Sequence, residues 1–209
     1  MPDFRNRWLA YAQRIHALAV TGLTYGLGPF DRERYQELED LALDMLSDLG
    51  DGPPFDLKPL FPIEQGYQTP KVDVRGVVFD EDRILLVREQ DNQRWALPGG
   101  WADVGLTPAE NVVKEVEEES GLKVEAKALI AVLDKKCHPH RPEEPHYAYK
   151  MFFYCEAFGG HLRTSYETTE VGFFSRHSLP MLSENRNTPG QIEMCFDYHE
   201  RPTLGTRFD

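Results

Sequence analysis

The sequence predicts an α/β protein preceded by a small helical domain. Three observations predict it. Apolar residues recur at helical spacing through the first fifty residues. The pattern then switches to strand-like runs at Val72, and one strongly capped helix, from Thr107 to Gly121, is set among those runs.

Taken in order, Trp8, Leu9, Tyr11, Ala12, Ile15, Leu18 and Ala19 place a helix from Phe4 to about Tyr25, ended by Gly26, Gly28 and Pro29. Asp31 can cap a second helix carrying Tyr35, Leu38, Leu41, Ala42, Met45 and Leu49, with Gly50 as its stop. A hairpin over residues 1–50 is too small to bury both apolar stripes alone. It is expected to dock on the following domain and to help form a homodimer. Residues 51–69, with Pro53, Pro54, Pro59 and Pro62 just ahead of Pro70, read as a stiff connector with Phe55, Leu60 and Phe61 as anchors.

The main domain spans residues 70–209. Its strands are expected at 72–79 and 83–88, around the turn Asp80-Glu81-Asp82, and at Arg94–Leu97. Pro98-Gly99-Gly100 breaks the chain, Thr107 caps a helix opened by Pro108, and Gly121 stops it. Strands follow at 123–135, 147–157 and 170–175, with Gly159-Gly160 as a turn, then a helix at 189–199 and a polar tail.

Composition narrows the function. Of 209 residues 41% are apolar, enough for a packed core, and the net charge of −12 (35 acidic against 23 basic) repels nucleic acid and anionic membranes. No apolar run reaches the ~18 residues of a membrane span, and no signal peptide is recognisable at the N-terminus. Three cysteines without a CxxC pair suit a reducing, cytoplasmic setting. In so acidic a chain, a phosphate-bearing ligand calls for a counter-cation, and a divalent metal held by carboxylates would supply it.

On the helix after Thr107, Glu115, Glu118 and Glu119 stand at i, i+3 and i+4 and share one face, whereas Glu117 points away. Carboxylates packed this way repel one another, unless hard cations such as Mg²⁺ or Mn²⁺ lie between them. The diglycine lets backbone approach closely and can present a carbonyl as a further oxygen ligand. A plain acidic surface face is the other reading of the helix taken alone.

Residues 100–122 resemble the Nudix box, G-x5-E-x7-R-E-U-x-E-E-x-G-U. Gly100, Glu115, Val116, Glu118, Glu119, Gly121 and Leu122 match; Leu106 and Lys114 depart from its first Glu and its Arg. Trp8 with the two helices, Gly66-Tyr67-Gln68-Thr69-Pro70-Lys71, and Gly99 to Gly105 also make the whole chain similar to two-domain Nudix proteins with a helical N-terminal extension. The resemblance implies an α/β/α sandwich around a mixed sheet. It implies metal binding by Glu115, Glu118, Glu119 and the Gly99 carbonyl, and hydrolysis of a nucleoside diphosphate linked to another group, CDP-choline and ADP-ribose leading. An RNA end is the rival substrate, and a ligand-sensing module without turnover the rival class.

A general base is sought in Glu118, or in Glu167 or Glu170, since the family often draws an acid from that later segment. Arg75 and Arg88 are placed either on a substrate phosphate or in surface ion pairs. Tyr67, Trp95 and Trp101 can stack on a base or simply pack. Cys137, His138, His140 and His146 fit no structural zinc spacing, and their proline-rich surroundings suggest a mobile substrate-side loop.

Overall fold

The computed structural model describes residues 4–26, 28–49, 67–142 and 147–209. Most of the expected connector, together with Gly50, Gly66 and His146, lies outside them. The chain divides into two compact units, Met1–Pro70 and Lys71–Asp209.

The first unit pairs helix α1 (Phe4–Tyr25) with α2 (Pro29–Leu49). Pro29 opens α2 instead of only barring α1, because a first-turn proline gives up an N–H that would be unpaired anyway. Asp31 therefore sits inside the first turn, pairing with Arg34 at 3.0 Å. Among the described residues Ala12, Leu43 and Leu46 form a buried cluster with Leu9 and Met45 against it, and Ala19, Val20 and Ala42 are also buried. Trp8, Tyr11, Leu18 and Tyr25 stay exposed along one side of α1, as do Leu38 and Leu41 on α2.

The second unit contains β1 (Lys71–Asp80), β2 (Arg83–Glu89), β3 (Trp95–Ala96), α3 (Pro108–Ser120), β4 (Leu122–Asp134), β5 (Ala148–Gly160), β6 (Thr168–Ser175), α4 (Pro189–Glu200) and β7 (Arg207–Phe208). The strands run in the order β3-β2-β1-β5-β4-β7, with β6 on β2. β1 and β5 are parallel, as are β4 and β7, while the other pairings are antiparallel. Strand alternation sends Val74, Val78, Leu85 and Phe153 to one face, where Val112 and Val116 of α3 cover them. Val77, Ile84, Leu86 and Phe152 face the other way, under Ile192, Cys195 and Phe196 of α4. A mixed sheet between two helix layers is the α/β/α sandwich expected.

The site depends on a split between β1 and β2, which pair only at Phe79↔Ile84 and Asp80↔Arg83. Beyond that point β1 takes residues 98–102 as its neighbour. Gly76 N–H donates to Pro98 O (2.8 Å), Val74 N–H to Gly100 O (2.8 Å) and Ala102 N–H to Val72 O (2.9 Å).

Three expectations change. Gly159-Gly160 is no turn but the end of β5, opposite Lys123 and Leu122. The polar tail contributes β7, which covers part of the outer edge of β4 that would otherwise expose unpaired backbone. The loop after β4 is anchored along its described part. His138 meets Asp209 at 3.1 Å, and buried His140 contacts the Glu184 carbonyl (2.9 Å) and Gln191 (3.2 Å). Among the described residues no helix is long and apolar enough to cross a membrane. Cys137, Cys155 and Cys195 are unbonded.

Candidate active site

Helix α3 is fixed at both ends by local chemistry. The Thr107 hydroxyl accepts from Glu110 N–H (3.2 Å), and the Glu110 carboxylate accepts from Thr107 N–H (2.8 Å), a reciprocal cap. Gly121 ends the helix at φ +79°, a left-handed conformation that favours glycine, and its N–H donates to Glu117 O (2.9 Å). Buried Asn111 ties down the preceding loop. Its Oδ1 accepts from Asp103 N–H (2.8 Å), and its Nδ2 donates to the carbonyls of Asp103, Leu106 and Thr107 at 3.2–3.3 Å. With Val112 and Val116 held in the core, Glu115, Glu118 and Glu119 are carried on the helix's other flank.

Opposite them is the shelf Leu97–Gly100. Gly99 has φ +142°, and a Cβ there would lie 2.0 Å from Val74 O, so only glycine fits. Its N–H donates to Glu119 Oε2 at 2.9 Å. Gly100 is open toward Glu115, whose Oε2 would be 3.1 Å from an added Cβ.

The electrostatics mark the two inner carboxylates. Burial pushes Glu119 up to about 7, helped by Glu115 and Glu167 and opposed by Arg75 and the Gly99 N–H. Burial also raises Glu115, with Glu118 and Glu167 adding and Lys114 and Arg75 opposing. Glu118 is exposed and 3.7 Å from Lys114, which also pairs with Asp103 at 2.8 Å. Lys114, where the box has Arg, thus still holds neighbouring carboxylates, one nitrogen serving both. Leu106, where the box has Glu, is exposed.

Among the described residues no three acidic, His or Cys side chains already converge as a metal cage. The donors nevertheless fit a hard cation: they are all oxygen, and burial disfavours the charged form of two of them, which a bound cation would offset.

The other expected residues are distributed as follows. Glu167 lies close enough to raise both Glu115 and Glu119, whereas Glu170 is ion-paired with Arg88 across β2 and β6. Arg75 is buried and bonded to Asp73 (2.7 and 2.9 Å) and to the Leu97 carbonyl (3.1 Å), not on the surface. Trp101 is half-exposed beside the shelf, and its backbone bridges to Asp73. Trp95 packs edge-on against Phe174 at 4.6 Å. Tyr67 is exposed and belongs to the N-terminal unit. A cavity of about 490 Å³ opens elsewhere, between His138, Arg141, Glu184, Gln191 and Arg207, and touches none of the three carboxylates.

Residues 69–194 match the family model described as the NUDIX domain, more than half of the chain. The chain belongs to the Nudix family. Residues 6–61, ahead of the Nudix domain, match a model described as a UDP-X-like N-terminal oligomerisation domain. The chain is 47% identical, over all 209 residues and the relative's full length, to YjhB of Bacillus subtilis (strain 168), provisionally named an ADP-ribose pyrophosphatase. It is similar along 98% of its length, and 99% of the other chain, to a solved UDP-X diphosphatase (35% identity, TM-score 0.64). A solved ADP-ribose pyrophosphatase from Streptococcus suis 89-1591 matches at 44% identity and TM-score 0.62, over 68% of this chain and all of the other. The protein is thus a Nudix hydrolase, of a class acting on phosphoanhydrides and generally using divalent metal ions. Asn111, which ties down the loop before α3, and Thr168, which donates to Glu119 O at 3.0 Å, support this Nudix site without standing at a defined box position.

Proposed function

We propose that this Nudix hydrolase is Mg²⁺- or Mn²⁺-dependent and cleaves a nucleoside diphosphate linked to a second group, giving a nucleoside monophosphate and a phosphorylated product. The observation that carries the reading is the Glu115/Glu118/Glu119 face set against the Gly99–Gly100 shelf, with Glu119 seated on the Gly99 N–H. These carboxylates and the Gly99 carbonyl would hold the cation. When bound, it supplies charge neutralisation of the diphosphate and lowers the pKa of a water.

The chain's own residues divide the remaining work. Glu118, exposed at the rim, and Glu167, across from α3, are the two carboxylates available to take a proton from water. Glu170 is committed to Arg88 and is the weaker candidate. ADP-ribose leads the substrates because relatives bear that name along the whole chain and along the catalytic unit. UDP-linked compounds and CDP-choline follow. The −12 charge disfavours an RNA end, and the intact carboxylate set disfavours a sensor. The exposed stripe of α1 and the matched oligomerisation domain favour a homodimer. Three unbonded cysteines favour the cytoplasm.

A panel of ADP-ribose, UDP-sugars, CDP-choline and short 5′-triphosphorylated RNA, each with Mg²⁺ and with Mn²⁺, tests the reading. Turnover of a diphosphate compound is expected. Faster attack on RNA would move the assignment to RNA ends, and nucleotide binding without turnover would make the chain a sensor. Leu106→Glu should change the rate by less than about tenfold, or about 1.4 kcal/mol. A rise of several orders of magnitude would again favour the sensor.

A further inference from the structure

Asp73 and Arg75 alternate on β1 and so share its face, and Lys150 of β5 is in register with Asp73. The side chains are almost wholly buried, at 6%, 3% and 1% exposure. Arg75 grips Asp73 with two nitrogens (Nε–Oδ1 2.9 Å, Nη2–Oδ2 2.7 Å), and Lys150 Nζ donates to Asp73 Oδ1 at 2.6 Å. The cluster is more than one balanced pair: burial pushes Lys150 down to about 7 against the pull of Asp73, and Arg75 is also within the field of Glu119 and Glu89. The third nitrogen of Arg75, Nη1, donates to the Leu97 carbonyl at 3.1 Å, where the shelf begins. From the other side Leu97 N–H is held by Asn187 Oδ1 at 3.0 Å. The charge of Arg75 is also felt by Glu119, whose carboxylate meets the shelf at Gly99 N–H (2.9 Å).

We propose that the buried Lys150–Asp73–Arg75 cluster is a positioning device for the carboxylate site, in which Lys150 and Asp73 lock Arg75 and Arg75 pins Leu97, so that Gly99 meets Glu119. This rests on the hydrolase reading above and deepens it: Arg75 acts through the shelf and not on the substrate.

Two single variants test it, Arg75→Met and Lys150→Met. Each leaves Asp73 one of its two partners, and far-ultraviolet circular dichroism checks that the fold is kept. The first readout needs no substrate: amide exchange at Gly99, compared with Val132 on the far strand β4. Gly99 should exchange at least about tenfold faster in Arg75→Met while Val132 is unchanged, the scale of losing one well-placed hydrogen bond. Arg75→Lys, which keeps charge but not the fork, should fall between. With ADP-ribose, kcat should drop about tenfold or more, with KM within about twofold. A raised KM at constant kcat would overturn the proposal by placing Arg75 on the substrate. Equal acceleration of Gly99 and Val132 with unchanged kcat and KM would overturn it in favour of a purely structural cluster. If the wild-type chain turned over nothing, the hydrolase reading would fail alone, because Gly99 exchange against Val132 still decides this inference.

Discussion

Glu118 differs from its two neighbours on α3 in its exposure, with 59% of its side chain reached by solvent. An exposed carboxylate beside a buried pair can exchange protons with water while Glu115 and Glu119 stay in place. Glu118→Gln should therefore lower kcat by about 10²–10⁴-fold with the fold intact, the scale of a positioned acid–base or charged group. A loss under about tenfold, measured on the best substrate, would shift the base to Glu167. His140 offers a test of stability. Its Nδ1 faces the Glu184 carbonyl and its Nε2 faces the Gln191 amide, so the neutral ring suits both contacts. Burial, with Lys150 and Lys135 adding, lowers its pKa from 6.5 to about 4. Below pH 6.5 the unfolded chain takes up a proton that the folded chain refuses until about pH 4, so stability falls as pH drops through that window. After discounting for solvent the fall is about 2 kcal/mol, and His140→Gln should flatten it in denaturant titrations at pH 7, 5.5 and 4.5.

At the scale of the element, α3 carries both the core and the chemistry, so its caps have a double effect. Thr107→Ala removes the hydroxyl that accepts from Glu110 N–H and donates to the Glu110 carboxylate, and should cost about 1 kcal/mol in chemical denaturation. The carboxylates lie two turns further on, so kcat of the folded variant should stay within about twofold of the parent; a larger drop would mean that the cap transmits to the site. The β1–β2 split acts in the opposite sense. It gives up ladder hydrogen bonds between two strands so that residues 98–102 can enter beside β1 and present Gly99 to Glu119.

For the whole molecule, the N-terminal unit exposes Trp8, Tyr11, Leu18 and Tyr25 on one side of α1. Such a stripe seeks a partner. Sedimentation of the full chain at micromolar concentration should show a dimer, and Tyr11→Lys with Leu18→Lys should shift it to monomer while far-ultraviolet circular dichroism is unchanged. A monomeric parent protein would refute the dimer. Activity should vanish in excess chelator and return with Mg²⁺ or Mn²⁺, and unchanged turnover in chelator would remove the metal from the reaction.

Local chemistry determined much of this protein from the sequence alone. The Thr107 cap, Pro108 and the Gly121 stop set α3 to the residue, and the i, i+3, i+4 spacing put Glu115, Glu118 and Glu119 on one flank, because helix geometry is fixed within a few residues. The Nudix box was legible as a resemblance, carried by Gly100, Glu115, Val116, Glu118, Glu119, Gly121 and Leu122. Long-range pairing was not. Arg75 read as a phosphate contact or a surface ion pair, Asp73 and Lys150 were not singled out, and only the parallel register of β1 with β5 brings Asp73 and Lys150, 77 positions apart, to 2.6 Å. The two-residue β7 had no periodicity to reveal it, and Gly159-Gly160 looked like a turn until its pairing with Lys123 and Leu122 extended β5. Which carboxylate is buried, and so which is pushed toward neutrality, follows from the shelf and the sheet packed over α3. Burial belongs to the tertiary fold, and residue spacing does not encode it.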